Sequence, residues 1–406
     1  MNSKSASSSP SEEPSRPLST PGALAWVDAR FRTLLCVQLA FGYAFSALLL
    51  APKYAALKLG ADSSTIGQLG ASYVLAAAAC APLVGRFLDR GHHRSAILVG
   101  SLLLTLSLGV FGLFERVEPS LYFVRALQGI GNTLVMGGAF TLVTKLVPAR
   151  DHGRAFGWVG SASLLMNGVA AYVTEHLAEA FGWDAAFFAA GLVSFLSFVF
   201  AYTLPSGADA ARLERAPDSR ANRGARLSPW VVYGALAATG AAYATLATFV
   251  QPYAIALGDH EMSGFFIGYT FTALAVRLVG GSFADRFPRH LTSAFALVIY
   301  VLCLVLAARL GRGGLFPLGL VFGLAHGMAW PSLNALVVEQ AEPARVGTAL
   351  SLMQALFGVG SIVAVLGVGH LIELAGYPLC FVLVSFVTLG SALSLVVRPR
   401  RGLETG

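Results

Sequence analysis

Two sets of polar side chains stand at helical spacing in an otherwise apolar sequence. Arg125 is followed by Gln128 and Asn132, three and seven residues on, and His326 by Trp330 and Asn334, four and eight residues on. Residues at such intervals share one face of an α-helix, so each set forms a polar stripe. An arginine binds a carboxylate or phosphate bidentately, and an imidazole exchanges a proton near neutral pH. Tyr243 and Gln251, eight residues apart beside Pro252, make a third set, while Gln38 and Tyr43, five apart, align less well. The sequence holds no HExxH, no metal-spaced Cys/His cluster and no serine with a plausible catalytic partner. These are binding surfaces rather than bond-cleaving ones: no enzymatic activity, metal or cofactor is expected.

The elements that must carry these stripes follow from composition. Of 406 residues, 56% are hydrophobic and 12% are charged, about half the charge of a soluble protein. Most of such a surface must face lipid. A membrane-spanning helix needs about 20 mostly apolar residues. Twelve stretches qualify, near 33–52, 65–85, 96–114, 120–144, 155–177, 185–204, 229–257, 264–284, 291–308, 314–338, 347–371 and 378–397. These runs are continuous, which excludes the alternating strands of a membrane β-barrel. The fold class read here is an all-α integral membrane protein of 12 transmembrane helices. The polar, Ser/Pro-rich residues 1–30 read as a disordered tail without a signal-peptide core. Cys36, Cys80, Cys303 and Cys380 fall inside predicted spans and read as small buried apolar residues.

The net charge of +7 is a matter of topology, not of nucleic-acid binding. With both termini cytoplasmic, 21 of the 28 Lys and Arg fall on the cytoplasmic side and 5 outside, with Arg125 and Arg277 inside spans. Setting aside the tails and the central linker leaves 9 against 5. This bias follows the positive-inside rule and suits contact with anionic lipid headgroups. Arg outnumbers Lys 24 to 4, which fits a GC-rich bacterial genome and an inner-membrane location.

The chain also repeats itself. Residues 31–205 and 229–398 each hold six spans, separated by a charged, Arg-rich linker at 206–228 and followed by a tail at 399–406. Asp89 returns as Asp285, 196 positions on; Pro148-Ala149-Arg150 returns as Pro343-Ala344-Arg345 at 195; Gly153 returns as Gly347 at 194. One spacing over so long a stretch indicates a duplicated six-helix unit. Parallel repeats of this kind place a transport site between the halves.

Residues 85–94, GRFLDRGHHR, and 281–290, GSFADRFPRH, break the apolar sequence with nearly the same charged phrase. The first resembles the signature loop of the major facilitator superfamily, with Gly85, Asp89, Arg90 and Arg94 matching. The second copy keeps Gly281, Asp285 and Arg286. LYFVRALQGIG, 121–131, resembles the family's fourth-helix motif through Arg125, Gln128, Gly129 and Gly131. The resemblance runs from about residue 30 to 398. It implies two pseudo-symmetric six-helix bundles rocking about a central site lined by the first, fourth, seventh and tenth helices. It implies that Asp89 latches onto the start of the eleventh helix near Gly347, and Asp285 onto the fifth near Gly153, favouring the outward-open state. His92 and His93 are read as solvated loop residues.

The resemblance implies a secondary transporter for a small organic molecule, with proton-coupled efflux of a drug or metabolite as the leading expectation. Uptake or exchange of a small organic anion is the alternative. The first helix lacks the Asp typical of many drug/proton antiporters, reading AFGYAFS. The fifth lacks their Gly-Pro pair, reading LLMNGVAAY. With no carboxylate expected at mid-depth, Arg125, His326 and Glu175 are the candidates for proton coupling. Glu175, Glu339 and Glu373 are the acids nearest the membrane. Arg277 fits either cavity contact or structural pairing. A monomer is expected, with the cargo, membrane lipid and protons as partners.

Overall fold

The computed structural model describes residues 26–148, 151–205, 227–284, 287–341 and 346–397. They are helical almost throughout. Helix α1, Ala29–Leu57, is interrupted by one 3-10 turn at Leu48–Leu50. There follow α2 Ser63–Asp89, α3 His93–Phe111, α4 Pro119–Leu146, α5 His152–Phe181 and α6 Trp183–Tyr202. The second half holds α7 Pro229–Ala256, α8 Ser263–Ala284, α9 Arg289–Ala308 and α10 Leu315–Gln340. The helical stretch Val346–Val396 is broken at Gly376, whose φ of 78° no helix accommodates, giving α11 (346–375) and α12 (377–396). So divided, the segments agree with the twelve read from the sequence, most ends lying within four residues. Most of the linker, 206–226, falls outside the described residues.

Local sequence sets the helix ends. Asp28 accepts from the Phe31 N–H at 2.9 Å, and Asp62 from the Thr65 N–H at 2.7 Å. Each satisfies a donor that has no partner within its helix. Pro119 and Pro229 open α4 and α7, where a missing N–H costs nothing. Hydrogen bonds from Thr65 hold the Asp62 carboxyl below the usual carboxylate range. A depressed carboxyl stabilises the fold above its unfolded value, about 4, and loses that contribution as pH falls through its folded value. The cap is therefore fully present at neutral pH. Asp62→Ala is expected to cost about 1 kcal/mol there, raising amide exchange in the first turn of α2 about fivefold. Hydrogen–deuterium exchange mass spectrometry reads this directly.

The buried apolar residues form two main clusters, one in each half. The second takes in Leu50, Ala71, Leu164 and Ala171 of the first at the seam. Large apolar side chains also stand on the outside, among them Phe123, Phe271 and Phe386, each about two-thirds exposed. Water would penalise that surface, whereas hydrocarbon does not.

Two helix pairs join the halves, α2 with α11 and α5 with α8. We call the face where α1 begins and α12 ends the terminal face, and the opposite one the far face. The contacts across the seam gather toward the far face. Gly67 lies on the Val365 carbonyl, Gly369 on the Ser63 carbonyl, and Gly168 against Ile267 and Thr270. Toward the terminal face, Gly85, Gly153 and Gly157 meet nothing within 4 Å among the described residues. Among the described residues the halves are closed at the far face.

The first charged phrase lies at the terminal face. Asp89 ends α2 exposed, with no hydrogen bond to the opposite half among the described residues. Arg90 is exposed, and Arg94 lies over the Tyr202 ring at 4.8 Å, tying α3 to α6. Gly281 is in the last turn of α8, while Asp285 and Arg286 lie outside the described residues. The solvated-loop reading of the two histidines needs correction at one of them. Gly91, at φ 86°, turns the chain so tightly that α3 starts at His93, which is buried; His92 stacks on Phe87 at 4.8 Å.

Candidate central site

In the first half Arg125 and Gln38 bond to neighbouring groups, while Gln38 Oε1, Gln128 Nε2 and the Tyr73 hydroxyl are buried without a hydrogen-bond partner. Arg125 is 8% exposed. Its Nη1 donates to Gln128 Oε1 at 2.7 Å and its Nε to the Leu69 carbonyl at 3.4 Å. Its guanidinium lies over the rings of Tyr73 and Phe111, at 5.0 and 5.6 Å. Gly129, one residue past Gln128, lets α2 approach, since a Cβ there would fall on the Tyr73 carbonyl. The motif thus works as a unit: a glycine admits the neighbour and the arginine ties to it. Gln38 is fully buried and donates to Ser163 Oγ at 2.8 Å, joining α1 to α5. Asn132 and Tyr43 are half-buried.

The second half presents an aromatic wall. Tyr300 hydrogen-bonds His326 Nδ1 at 2.8 Å. The His326 ring lies 4.8 Å from Tyr243 and 6.0 Å from both Tyr269 and Trp330. Phe357 of α11 closes the wall, at 5.4 Å from Trp330 and 5.8 Å from Tyr243. Four helices, α7, α8, α10 and α11, with Tyr300 of α9 behind them, therefore meet around one imidazole. Asn334 belongs to the stripe in spacing only, because its Nδ2 turns back to the Trp330 carbonyl at 2.7 Å. Gln251 stands apart as well. It crosses the seam to the Leu49 carbonyl at 2.7 Å, near the far face.

Arg277 completes the arrangement. It reaches from α8 to α5, where a Cβ on Gly160 would meet its guanidinium at 3.2 Å. Its Nε is buried without a hydrogen-bond partner, and no ion pair to it is found among the described residues. The arrangement brings aromatic faces, one imidazole and one unpaired cation to the inner seam. It can hold a planar or aromatic molecule and offers a positive charge to an acidic group.

Sequence spacing missed Tyr73, Tyr269, Tyr300 and Phe357. One signal was available: Tyr269 follows Tyr73 by 196 positions, the spacing of the two aspartates. Glu175, expected near the membrane, is instead buried inside α5 with Lys53 as its partner.

Comparison with known proteins agrees with this architecture. A family model described as Major Facilitator Superfamily matches residues 34–311 and 256–405. Multidrug resistance protein 2 of Bacillus subtilis (strain 168) is 30% identical over 101 residues, a quarter of each chain. The chloramphenicol resistance protein of Streptomyces lividans is 26% identical over 250 residues, 60% of this chain and 63% of that one. The chain thus spans less than two-thirds of the length of these relatives. The multi-drug resistance efflux pump PmrA of Streptococcus pneumoniae (strain ATCC BAA-255 / R6) is 22% identical over 344 residues, 81% of this chain and 85% of that one. Among solved structures, a point mutant of the nucleoside transporter NupG superposes with a TM-score of 0.70 at 14% identity. The human organic anion transporter MFSD10 superposes at 0.65 and 18%. Each covers 90% of this chain and 98% of its own. With the family model running nearly its whole length and both folds agreeing with it, this chain belongs to the Major Facilitator Superfamily.

Proposed function

We propose that the chain exports a small organic molecule across the cytoplasmic membrane by alternating access, in exchange for protons. The aromatic wall of Tyr243, His326, Trp330 and Phe357 at the inner seam is the observation that carries this reading. Such a wall takes planar apolar cargo through ring stacking and burial, with little demand on its polar detail. The efflux and resistance names of the relatives support the direction. Positive-inside charge puts the terminal face in the cytoplasm and the far face outside. In this reading the face closed in the structure is the outer one. This reading takes half-buried Asn132 and Tyr43 as the cargo contacts of the first half, with Arg125 and Gln128 holding α4 in place. His326, and Glu175 at the far face, are the proton carriers of this reading.

Arg277 favours a second reading, exchange or uptake of a small organic anion. A cation at the seam with no carboxylate partner among the described residues is ready for an acidic cargo. Untargeted mass spectrometry of cells and medium tests both, comparing wild type with Arg125→Ala. A solute enriched in the medium only with wild type supports export and names the cargo. A solute drawn from the medium into the cells overturns export in favour of uptake.

A further inference from the structure

Export requires the far face to open, so the contacts that close it must break once in each cycle. Glu175 lies in α5 of the first half with its side chain 1% exposed. Its Oε1 accepts from the Met262 N–H at 2.7 Å and its Oε2 from the Ser263 N–H at 2.6 Å. Both donors stand at the start of α8, in the second half. Lys53 of α1 lies 2.5 Å from Oε1 and also donates to the His260 carbonyl, across the same seam.

The other seam carries the counterpart. Glu373 of α11 accepts from the Ser64 N–H at 3.0 Å, in the first turn of α2. Beside it, Ser63 and Tyr377 share a hydrogen bond of 2.8 Å. The two contacts are alike in kind, though not register copies: at the 194-residue offset of these helices, on which Gly182 returns as Gly376, Glu373 answers to Glu179, one turn from Glu175. The fifth helix of each half thus carries a carboxylate that caps the second helix of the other half. The first N–H groups of a helix have no partner within it, and their summed dipole favours a negative charge. These partners part when the far face opens, so their energy belongs to the closed state alone.

We propose that Glu175 and Glu373 form a two-part latch, one part at each seam, that holds the far face shut. Glu175 supplies most of the hold, because it is buried, bidentate and paired with Lys53, whereas Glu373 is exposed. The proposal rests on the export reading only for which face is outward.

The test is a distance measurement without cargo. Spin labels go on Leu113→Cys and Arg309→Cys, both exposed at the far-face ends of α3 and α9, in opposite halves, with the four native cysteines replaced by serine. Double electron–electron resonance then reads the separation of the two rims. The parent is expected to give mainly the short distance. Glu175→Gln raises the ratio of long to short about tenfold, the size of a partly buried charge–dipole contact. Glu373→Gln raises it less, and the double variant more than either. Lys53→Met also shifts it, and serves if Glu175→Gln fails to insert. A double variant with the parent's distribution overturns the latch, as does a parent-like distribution in both Lys53→Met and Glu373→Gln. Because the distances need no cargo, a failure of the export reading leaves this outcome readable.

Discussion

Arg277→Ala is expected to lower transport of an acidic cargo about 100-fold while leaving that of its neutral amide or ester within about threefold. The asymmetry follows from what Arg277 lacks. Its Nε is buried without a partner, and no described carboxylate pairs with it. A cation held at a low-dielectric seam without a counter-ion carries an unrecovered desolvation cost. An acidic group arriving with the cargo supplies the counter-ion, and a guanidinium can grip it with two parallel hydrogen bonds. Arg277→Lys keeps the charge but not the fork, so it should recover only part of the rate. The measurement is counterflow in proteoliposomes with an acid and its neutral analogue as paired cargoes. Equal loss for both would make Arg277 a brace between α8 and α5, and would remove the support for an anionic cargo. Arg125 should behave as that brace within its own half, since two hydrogen bonds and two aromatic rings already satisfy it.

The contrast between the two arginines marks how far the sequence could be read. Helix positions were legible because lipid demands long apolar runs, and the duplication was legible because it preserves spacing. Stripe membership was legible only as far as the backbone goes. Asn334 shares a face with His326 and Trp330, yet its amide bonds the carbonyl four residues back, a local competition that spacing does not reveal. Gln251 shares a face with Tyr243, yet it crosses to Leu49 in the other half. The family resemblance implied a carboxylate latch at the terminal face, from Asp89. Among the described residues, carboxylates bridge the halves at the far face, through Glu175 and Glu373. Glu175 was legible as an acid near the membrane, but its partners lie 87 and 88 residues on. Only a structure with the seam closed brings them together.

Gly67→Val is expected to cut turnover about 100-fold, the rate equivalent of roughly 3 kcal/mol of overpacking. α2 and α11 cross at this glycine so closely that a Cβ would fall on the Val365 carbonyl oxygen, with the carbonyl carbon at 3.1 Å and the Phe249 ring at 3.5 Å. A ring can rotate away, but a helix backbone cannot yield without moving the whole helix. Small residues at crossings are how membrane helices approach each other when lipid offers no hydrophobic drive. Gly70, one turn along α2, is the control: a Cβ there meets only the Val365 methyls at 4.0 Å. Gly70→Ala should therefore transport within about twofold of wild type, because ordinary van der Waals contact replaces open space. The two variants share a helix, so a general effect on insertion would reduce both alike. Labels on the rims separate the causes further. Gly67→Val should show the long distance even with Glu175 and Lys53 intact, because a seam that cannot close keeps the carboxylate from its helix terminus. If Gly67→Val keeps the short distance and normal turnover, α2 and α11 do not meet at this crossing during the cycle. The far face would then be sealed by the α5–α8 pair and the Gln251 contact to Leu49.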